Sequence, residues 1–380
     1  MTRILNEVDW VLFLSVLIIA ILGVVTMKPF GFSAFDENSN YFFSRQIVWA
    51  LFGICAFFIA FFINWNFLKT NSIFLFLIYL LVLGALFILI FTADTIRGAK
   101  SWYRIYSLSI EPVELMKPVL ILLLAKYFSK RHVEIARLRH IFISGAYAFL
   151  PALLVFMHSD FGSAVILLGI WLGMGLCGGI KFKHLIFIFL CGAIAFALLW
   201  GLFLEPYQKA RVISFLDPKK DTKDTGYHAL QSVIAVGSGG IFGKGIGFGT
   251  QSRLEFLPEN ETDFIFASFV EEWGFVGAAI LFLFFGIILQ RILRAGIYSE
   301  SNFEKLYAAG LALFLFLQIT VHIGMNIGLF PITGLGLPFM SYGGSFIISS
   351  FFALGILQSF NAHKKGIFMG TEDRYKEGIL

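Results

Sequence analysis

The sequence predicts an all-α polytopic membrane protein with about ten transmembrane helices and one long extracytoplasmic loop. Of its 380 residues, 58% are hydrophobic and only 14% are charged, whereas soluble domains average about 45–50% apolar and about 25% charged residues. Apolar stretches long enough to span a membrane recur along the chain, and Lys and Arg cluster in alternate short connections. The net charge of +5 therefore reflects membrane topology and does not indicate nucleic-acid binding.

Each spanning helix needs about 20 mainly apolar residues. The candidate spans are residues 10–27, 46–63, 72–93, 112–128, 141–157, 162–180, 184–204, 264–290, 306–330 and 343–360. The first is too long for a signal-peptide core and lacks a small-residue cleavage pattern, so we expect it to be retained as an anchor. The stretches 112–128 and 306–330 carry polar residues, which predicts that they line a cavity and do not face lipid.

The distribution of positive charge predicts the orientation. The short loops assigned to the cytoplasm contain Lys130, Arg131, Arg137, Arg139, Lys181, Lys183, Arg291, Arg294, Lys305, Lys364 and Lys365, whereas the loops at 158–161 and 331–342 contain no Lys or Arg. The positive-inside rule then places both termini in the cytoplasm. We expect one transmembrane domain over residues 1–368, a cytoplasmic tail over 369–380, and a long extracytoplasmic loop over about 205–263.

Four ionisable residues stand out on the predicted outer side. Asp263 precedes an apolar run, where it could cap the helix or act as a partly desolvated carboxylate. Glu114 and Lys117 are three residues apart on one helical face, so they could form an internal ion pair or a functional site. Asp160 lies in a very short loop, where capping of the next helix is the favoured single role.

Two irregular segments and one basic loop accompany these residues. The glycine-rich run over residues 237–252 is expected to be a flexible loop that could touch phosphates, although it lacks a Walker A pattern. Residues 331–345 contain too much Pro and Gly for a continuous helix, which favours a cavity wall. The outer loop 94–111 carries Arg97, Lys100 and Arg104, which could bind an anionic substrate or lipid phosphates.

These segments together resemble the SEDS family (shape, elongation, division and sporulation), whose members polymerise peptidoglycan. The matching motifs are Arg97-Gly-Ala-Lys-Ser-Trp102, Glu114-Leu-Met-Lys117, Asp160-Phe-Gly162, Gly226-Tyr-His-Ala-Leu-Gln-Ser232, Leu257-Pro-Glu259, Thr262-Asp-Phe-Ile-Phe266 and Leu337-Pro-Phe-Met-Ser-Tyr-Gly-Gly-Ser345. They cover nearly the whole chain in order. The resemblance implies a SEDS fold similar to the GT-C class of membrane glycosyltransferases.

Within the family, the chain is most similar to the elongation branch. The residues that carry this similarity are Ser238-Gly-Gly240, Gly249-Thr-Gln-Ser252, Leu254-Glu-Phe-Leu-Pro-Glu259, Tyr207-Gln208, Arg211-Val212 and Leu216-Asp-Pro218. Three motifs depart from the usual pattern: Glu261 replaces a common His, Glu111 and Val113 alter a Gln-Pro-Ser-Glu motif, and His322 replaces an Asn. None of these departures removes Asp263.

The resemblance implies that the chain joins two lipid II molecules outside the membrane, with Asp263 as the essential acid and general base. Candidates to bind the substrate are Arg97, Lys100, Trp102, Glu114, Lys117, Asp160, Arg211, Gln251, Ser252, Ser341 and Tyr342. A divalent cation, Mg²⁺ or Mn²⁺, could bind Asp263 with Glu259 or Glu261. No organic cofactor is expected. The expected partners are a class B penicillin-binding protein and the rod-complex (elongasome) proteins.

Three rival functions remain open from the sequence. A lipid II flippase would use similar intramembrane charges and broken helices, although the unusual residues cluster at the outer face. A polymerase or ligase of another polyprenyl-linked sugar, such as O-antigen, would act at the membrane on a lipid-linked substrate in the same way. A non-catalytic scaffold would only recruit the transpeptidase.

Overall fold

The computed structural model describes residues 7–28, 41–92, 102–105, 108–130, 138–180, 225–254, 256–257 and 259–377, and some residues between 183 and 209. Its helices are α1 (Trp10–Thr26), α2 (Tyr41–Phe62), α3 (Phe67–Thr70), α4 (Ser72–Thr92), α5 (Pro112–Ser129), α6 (Leu138–Met157), α7 (Phe161–Gly178), α8 (Thr225–Ser238), α9 (Thr250–Arg253), α10 (Ile265–Ile297), α11 (Asn302–Asn326) and α12 (Gly344–Glu377). A two-stranded antiparallel hairpin, β1 (Tyr103–Ile105) and β2 (Leu108–Ile110), precedes α5.

The described helices confirm a polytopic membrane protein. Seven of them are long and apolar enough to cross a membrane, namely α2, α4, α6, α7, α10, α11 and the first part of α12, and α1 is a shorter apolar helix. Helix α5 has 18 residues but includes three charged side chains, which lower its hydropathy. The predicted span 184–204 falls mostly outside the described residues.

The two polar helices form the centre of the bundle, as their composition predicts. Helix α5 packs against α4, α6, α7, α11 and α12, and α11 packs against α5, α7, α8, α10 and α12. Nearly every side chain of α5 is buried, including Glu114, Lys117 and Lys126. A helix buried on all sides by other helices can hold charged groups that would be costly against lipid.

Helix α10 is interrupted at Gly274, whose φ of 67° and ψ of −166° are not helical. The glycine-rich loop, which we define as residues 239–250, fills this interruption. The Phe275 and Val276 N–H groups donate to the Gly240 and Ile241 carbonyls at 2.9 and 3.1 Å. In the opposite direction, the Lys244 N–H donates to the Glu271 carbonyl at 3.0 Å. The loop therefore supplies hydrogen bonds that the helix loses at its break.

The close approach at the break requires glycine. A Cβ on Gly243, where φ is +80°, would lie 2.1 Å from the Glu272 carbonyl oxygen, and one on Gly274 would lie 2.2 Å from the Gly243 nitrogen. Neither contact leaves room for a side chain. The glycine-rich sequence is thus explained by packing of backbone against backbone, and the interpretation of this segment as a merely flexible loop is wrong.

Candidate functional site

Asp263 lies in a tight turn that leads into α10. Glu259 begins this turn with a positive φ of 53°, and its carbonyl accepts hydrogen bonds from the N–H groups of Thr262 and Phe264, both at 3.1 Å. The N-cap of α10 is Phe264, so the cap position proposed for Asp263 belongs to the next residue. The half-buried Asp263 side chain faces the loop after α11, with Oδ2 3.8 Å from where a Cβ on Gly334 would stand.

Asn326, at the end of α11, holds the peptide of Asp263 in place. Its Nδ2 donates to the Asp263 carbonyl at 3.0 Å and to the His322 carbonyl at 2.8 Å. Its Oδ1 accepts from the Ala267 N–H at 3.1 Å, in the first turn of α10. One fully buried amide therefore joins α11, the Asp263 turn and the start of α10.

The loop over residues 331–345 closes the other side of the Asp263 turn. The Ser341 hydroxyl donates to the Thr262 carbonyl at 2.8 Å, and the Tyr342 N–H donates to the Glu261 carbonyl at 2.9 Å. From α11, Gln318 Nε2 donates to the Gly336 carbonyl at 3.2 Å. These bonds satisfy an irregular backbone that contains several Gly and Pro residues.

His322, one of the departures from the family pattern, also binds the loop over residues 331–345. Its Nδ1 lies 2.6 Å from the Leu335 carbonyl oxygen, and the side chain is fully buried. A carbonyl oxygen only accepts hydrogen bonds, so Nδ1 must carry the proton. His322 thus acts as a backbone-binding group in the wall of the site, a role that an Asn amide could also fill.

A second group of ionisable residues gathers at the start of α5 and α7. Lys117 is completely buried, and its Nζ donates to Glu114 Oε1 at 2.6 Å, which confirms the predicted pairing. The ammonium also lies 5.8 and 5.7 Å from the ring centroids of Phe314 and Phe346. The other carboxylate oxygen of Glu114 is buried with no hydrogen-bond partner among the groups that the structure describes.

Asp160 and Glu111 complete this group. Asp160 is the N-cap of α7 and its Oδ1 accepts from the Ser163 N–H at 3.0 Å, so its predicted capping role is confirmed. Burial raises the pKa of Glu111 well above its ordinary value, and the negative charges of Glu114 and Asp160 raise it further. The positive charge of Lys117 and a hydrogen bond from Trp102 oppose the increase. Trp102 is thereby placed beside this carboxylate.

The loop over residues 331–345 connects the two groups. At one end, a Cβ on Gly162 in the first turn of α7 would lie 2.9 Å from the Thr333 carbonyl oxygen. At the other end, Ser345 Oγ accepts from the Glu111 N–H at 3.1 Å. The beginnings of α5, α7, α10 and α12 and the end of α11 therefore meet at one end of the bundle, with Asp263 on one side and Glu114 with Lys117 on the other.

Two buried carboxylates in α10 were not singled out from the sequence. Glu271 accepts from Lys244 Nζ at 2.7 Å, from the Gln251 and Ser252 N–H groups at 2.9 and 3.1 Å, and from the Ser252 hydroxyl at 3.0 Å. Glu272 pairs with Arg253 at 2.7 Å. A Glu-Glu pair within an apolar helix is itself a signal of a functional or structural site.

Several predicted substrate-binding residues occupy other positions. Ser252 and Ser341 are buried and bonded to Glu271 and Thr262, and Gln251 is half-buried beside Glu271. In this structure the Ser341 hydroxyl holds the Asp263 turn, and the Ser252 hydroxyl binds Glu271 near the break in α10. Arg97, Lys100 and Arg211 lie outside the described residues. For all of these residues, substrate binding stays a prediction.

The proposed cation ligands do not form a closed set. The Glu259 carboxylate accepts a hydrogen bond from the Thr262 hydroxyl at 3.2 Å. Within the described ranges, no group of three or more His, Cys, Asp or Glu side chains is placed to hold a metal ion. A resident cation would therefore need ligands from outside this set of side chains.

This architecture defines a polytopic membrane protein whose ionisable residues converge at one end of a helical bundle. The family model for FtsW, RodA and SpoVE, described as cell cycle protein, matches residues 8–366. The chain belongs to this family, as the resemblance in its motifs implies.

Curated relatives span most of the chain. Stage V sporulation protein E of Bacillus subtilis is 34% identical over 336 residues, covering 87% of this chain and 89% of the relative. The peptidoglycan glycosyltransferase MrdB of Escherichia coli is 36% identical over 269 residues, covering 71% and 72%. A probable peptidoglycan glycosyltransferase FtsW of a Geobacter species is 31% identical and covers 94% and 98%.

Solved structures show the same fold. The rod shape determining protein RodA of Thermus thermophilus superposes with a TM-score of 0.68 at 28% identity, covering 93% of this chain and 96% of that one. A chain of a peptidoglycan synthase complex that coordinates polymerization and crosslinking gives a TM-score of 0.78 at 28% identity, covering 94% and 98%. Both similarities extend over nearly the full length of each chain.

Proposed function

We propose that the chain is a peptidoglycan glycosyltransferase that polymerises lipid II into glycan strands during cell elongation. The observation that carries this proposal is the half-buried Asp263 carboxylate, held at the end of the bundle where the ionisable residues converge. The names of the curated relatives MrdB and FtsW support the enzyme class.

The proposed reaction is a single displacement. The 4-hydroxyl of the acceptor sugar attacks the anomeric carbon of the donor, and the bond from that carbon to undecaprenyl pyrophosphate breaks. Asp263 takes the hydroxyl proton as general base. Attack from the face opposite the leaving group converts the donor's α-linkage into a β-linkage. The hydrogen bond from Asn326 to the Asp263 peptide limits movement of the base, which favours a productive geometry.

The leaving pyrophosphate requires positive charge. Lys117, which the structure describes, is buried and bonded to Glu114, so its charge would act on the pyrophosphate without direct contact. Arg97, Lys100 and Arg211 are the candidates for direct contact from the sequence. Fixed positive charge in a partly desolvated site stabilises a developing anion more strongly than it would in water. A Mg²⁺ or Mn²⁺ ion stays a prediction: Asp263 with Glu259 or Glu261 would hold it, and it would help to neutralise the charge of the leaving pyrophosphate.

The proposed location is the bacterial cytoplasmic (inner) membrane, with both termini in the cytoplasm and the Asp263 end facing the periplasm. Arg291 and Arg294 near the end of α10 and Lys305 in α11 lie at the opposite end of these helices from Asp263 and Asn326. The positive-inside rule assigns that basic end to the cytoplasm. Lipid II on the outer leaflet would then reach the carboxylate directly.

A transpeptidase partner follows from the same proposal. The chain adds sugars but would leave stem peptides uncrosslinked, so it needs a class B penicillin-binding protein. The similar structure of a synthase complex that coordinates polymerization with crosslinking supports this association. Rod-complex proteins are the further partners expected of an elongation enzyme.

The experiment that tests the proposal is glycan synthesis from purified lipid II by the reconstituted protein with its transpeptidase partner. We expect wild type to make polymer and Asp263→Asn to lose about 100-fold to 10,000-fold activity. A matched control is Asp9→Asn, which removes a carboxylate that pairs with Arg291 at 2.6 Å on the far side of the bundle. Equal polymer from Asp263→Asn would exclude Asp263 as the base, and lipid II transport without polymer from wild type would favour a flippase.

A further inference from the structure

The glycine-rich loop presents large apolar side chains on its outer surface. Phe242 is 81% exposed, Phe248 74% and Ile241 64%. Soluble loops rarely expose three such side chains within eight residues, because the exposed apolar area is costly in water. The exposure of these three side chains indicates an apolar environment around this loop.

The loop is fixed in position, so these side chains have a defined direction. Its backbone bonds to both sides of the α10 break, and its Lys244 ammonium turns inward to Glu271 at 2.7 Å. The Arg253 guanidinium just after the loop pairs with Glu272 and donates to the Lys28 and Thr26 carbonyls at 2.7 and 3.1 Å, which ties it to the end of α1. The polar groups thus point into the protein while the aromatic rings point away.

The exposed rings are continuous with the outer face of α10. Phe275, which donates its N–H to Gly240, is 69% exposed, and Leu283 two turns further is 61% exposed. In a helix that crosses a membrane, apolar residues exposed in this way face lipid chains. The loop extends that lipid-facing surface sideways from the helix.

The depth of the loop follows from the length of the helix below it. Residues 275–297 are about 34 Å long at 1.5 Å per residue, slightly more than the hydrocarbon thickness of about 30 Å. Because Arg291 and Arg294 mark the basic end of this segment, the break at Gly274 lies close to the opposite boundary of the hydrocarbon layer. Phe242 and Phe248 belong to the loop that is hydrogen-bonded to this break, so they lie at about the same depth.

We propose that the glycine-rich loop is a membrane-inserted wedge, whose Ile241, Phe242 and Phe248 side chains bind the acyl chains of the adjacent phospholipid leaflet. Transfer of Phe and Ile side chains into the hydrocarbon is favourable, and the loop backbone that carries them is hydrogen-bonded to α10 at this boundary. Acyl chains are favoured over a protein partner because the rings continue a surface of α10 that already faces lipid.

The test is the accessibility of spin labels in the full-length protein, reconstituted at low density in phosphatidylethanolamine and phosphatidylglycerol vesicles. Single cysteines replace Phe242 or Phe248 in a background without Cys55, Cys177 and Cys191, and each is labelled with a nitroxide. Collisions with oxygen, which concentrates in the hydrocarbon, are compared with collisions with a water-soluble nickel chelate. Leu283→Cys is the lipid control, and Glu300→Cys, exposed between α10 and α11, is the water control.

We expect labels at Phe242→Cys and Phe248→Cys to give an oxygen-to-chelate ratio severalfold above that of Glu300→Cys, and below that of Leu283→Cys, which lies deeper in the hydrocarbon layer. A ratio equal to that of Glu300→Cys would show that the loop stands in water and would overturn the proposal. Protection from both reagents would also overturn it, since a protein surface would then cover the loop. Ile241→Cys repeats the measurement if one of the phenylalanine variants fails to fold.

Discussion

The Asp263 turn and the glycine-rich loop are both irregular segments packed against α10, but they are held in opposite ways. The described contacts to the backbone of the turn come from neutral groups, chiefly the amide of Asn326 and the hydroxyl of Ser341. The loop region is fixed by buried charges, with Glu271 bound to Lys244 and Glu272 bound to Arg253.

The difference between the two regions has a physical reason. A general base must keep a carboxylate whose proton affinity suits its reaction, so neutral hydrogen bonds to its peptide position it without adding a fixed charge. A loop that only has to remain in place can use strong ion pairs with several hydrogen bonds. Substitutions in the two regions should therefore differ in whether stability or catalysis changes most.

The largest stability effect is expected at Glu271. Glu271→Ala leaves Lys244 and the donors of Gln251 and Ser252 without their acceptor and should lower the free energy of unfolding by about 3–5 kcal/mol. Thermal unfolding in detergent would measure the loss. The surface substitution Lys305→Ala is the control, with an expected change within about 0.5 kcal/mol. If Glu271→Ala changed the free energy of unfolding as little as the control does, the ion pairs would not be what holds the loop in place.

The backbone contact at the break should be nearly as sensitive. Gly243→Ala puts a Cβ where the Glu272 carbonyl stands and imposes a residue at positive φ, so we expect a loss of about 2–4 kcal/mol. Gly237→Ala is the matched substitution, since a Cβ there meets nothing within 4 Å. Equal unfolding temperatures of the two variants would argue against the inserted conformation of the loop.

In the Asp263 turn, Asn326→Ala should reduce catalysis by more than its loss of folding stability would explain. The loss of stability should be about 1–3 kcal/mol, because the Ala267 N–H and the Asp263 carbonyl lose their partner. The turnover number should fall while the KM for lipid II stays close to that of wild type, since the base is misplaced and the substrate site is not. A change in KM alone would contradict a positioning role.

The smallest effect is expected at the cap of α7. Asp160→Ala removes the acceptor of the Ser163 N–H and should cost about 1 kcal/mol. Asp160→Ser, which can still cap, should recover most of this stability. If both variants lost polymerisation while remaining folded, Asp160 would have a role in the reaction beyond capping, and substrate binding by this residue would gain support.

Local patterns in the sequence predict much of this arrangement. Apolar length gives most of the spans, and the polar residues of α5 and α11 give their central position because charge is tolerated only inside the bundle. The spacing of Glu114 and Lys117 predicts their ion pair, and the position of Asp160 predicts that it caps α7. Each of these inferences depends on residues within a few positions of one another.

The remaining features depend on contacts between distant parts of the chain. The predicted span 264–290 contains the break at Gly274, which is stable only because residues 239–250 supply hydrogen bonds there. The predicted span 306–330 ends at Asn326, and Gly328 then turns the chain with a φ of 77°. The role of Asn326 likewise depends on a carbonyl 63 residues away, and nothing near it in sequence signals that contact.

The ion pairs at the α10 break also have a consequence for how the protein is made. Lys244 and Arg253 precede Glu271 and Glu272 in the sequence, so a ribosome completes each cation before its carboxylate partner. When α10 leaves the translocation machinery, its two acidic residues can meet partners that already exist. The order of synthesis thus lets both carboxylates pair with their cations as soon as α10 is complete, so that neither has to be buried alone.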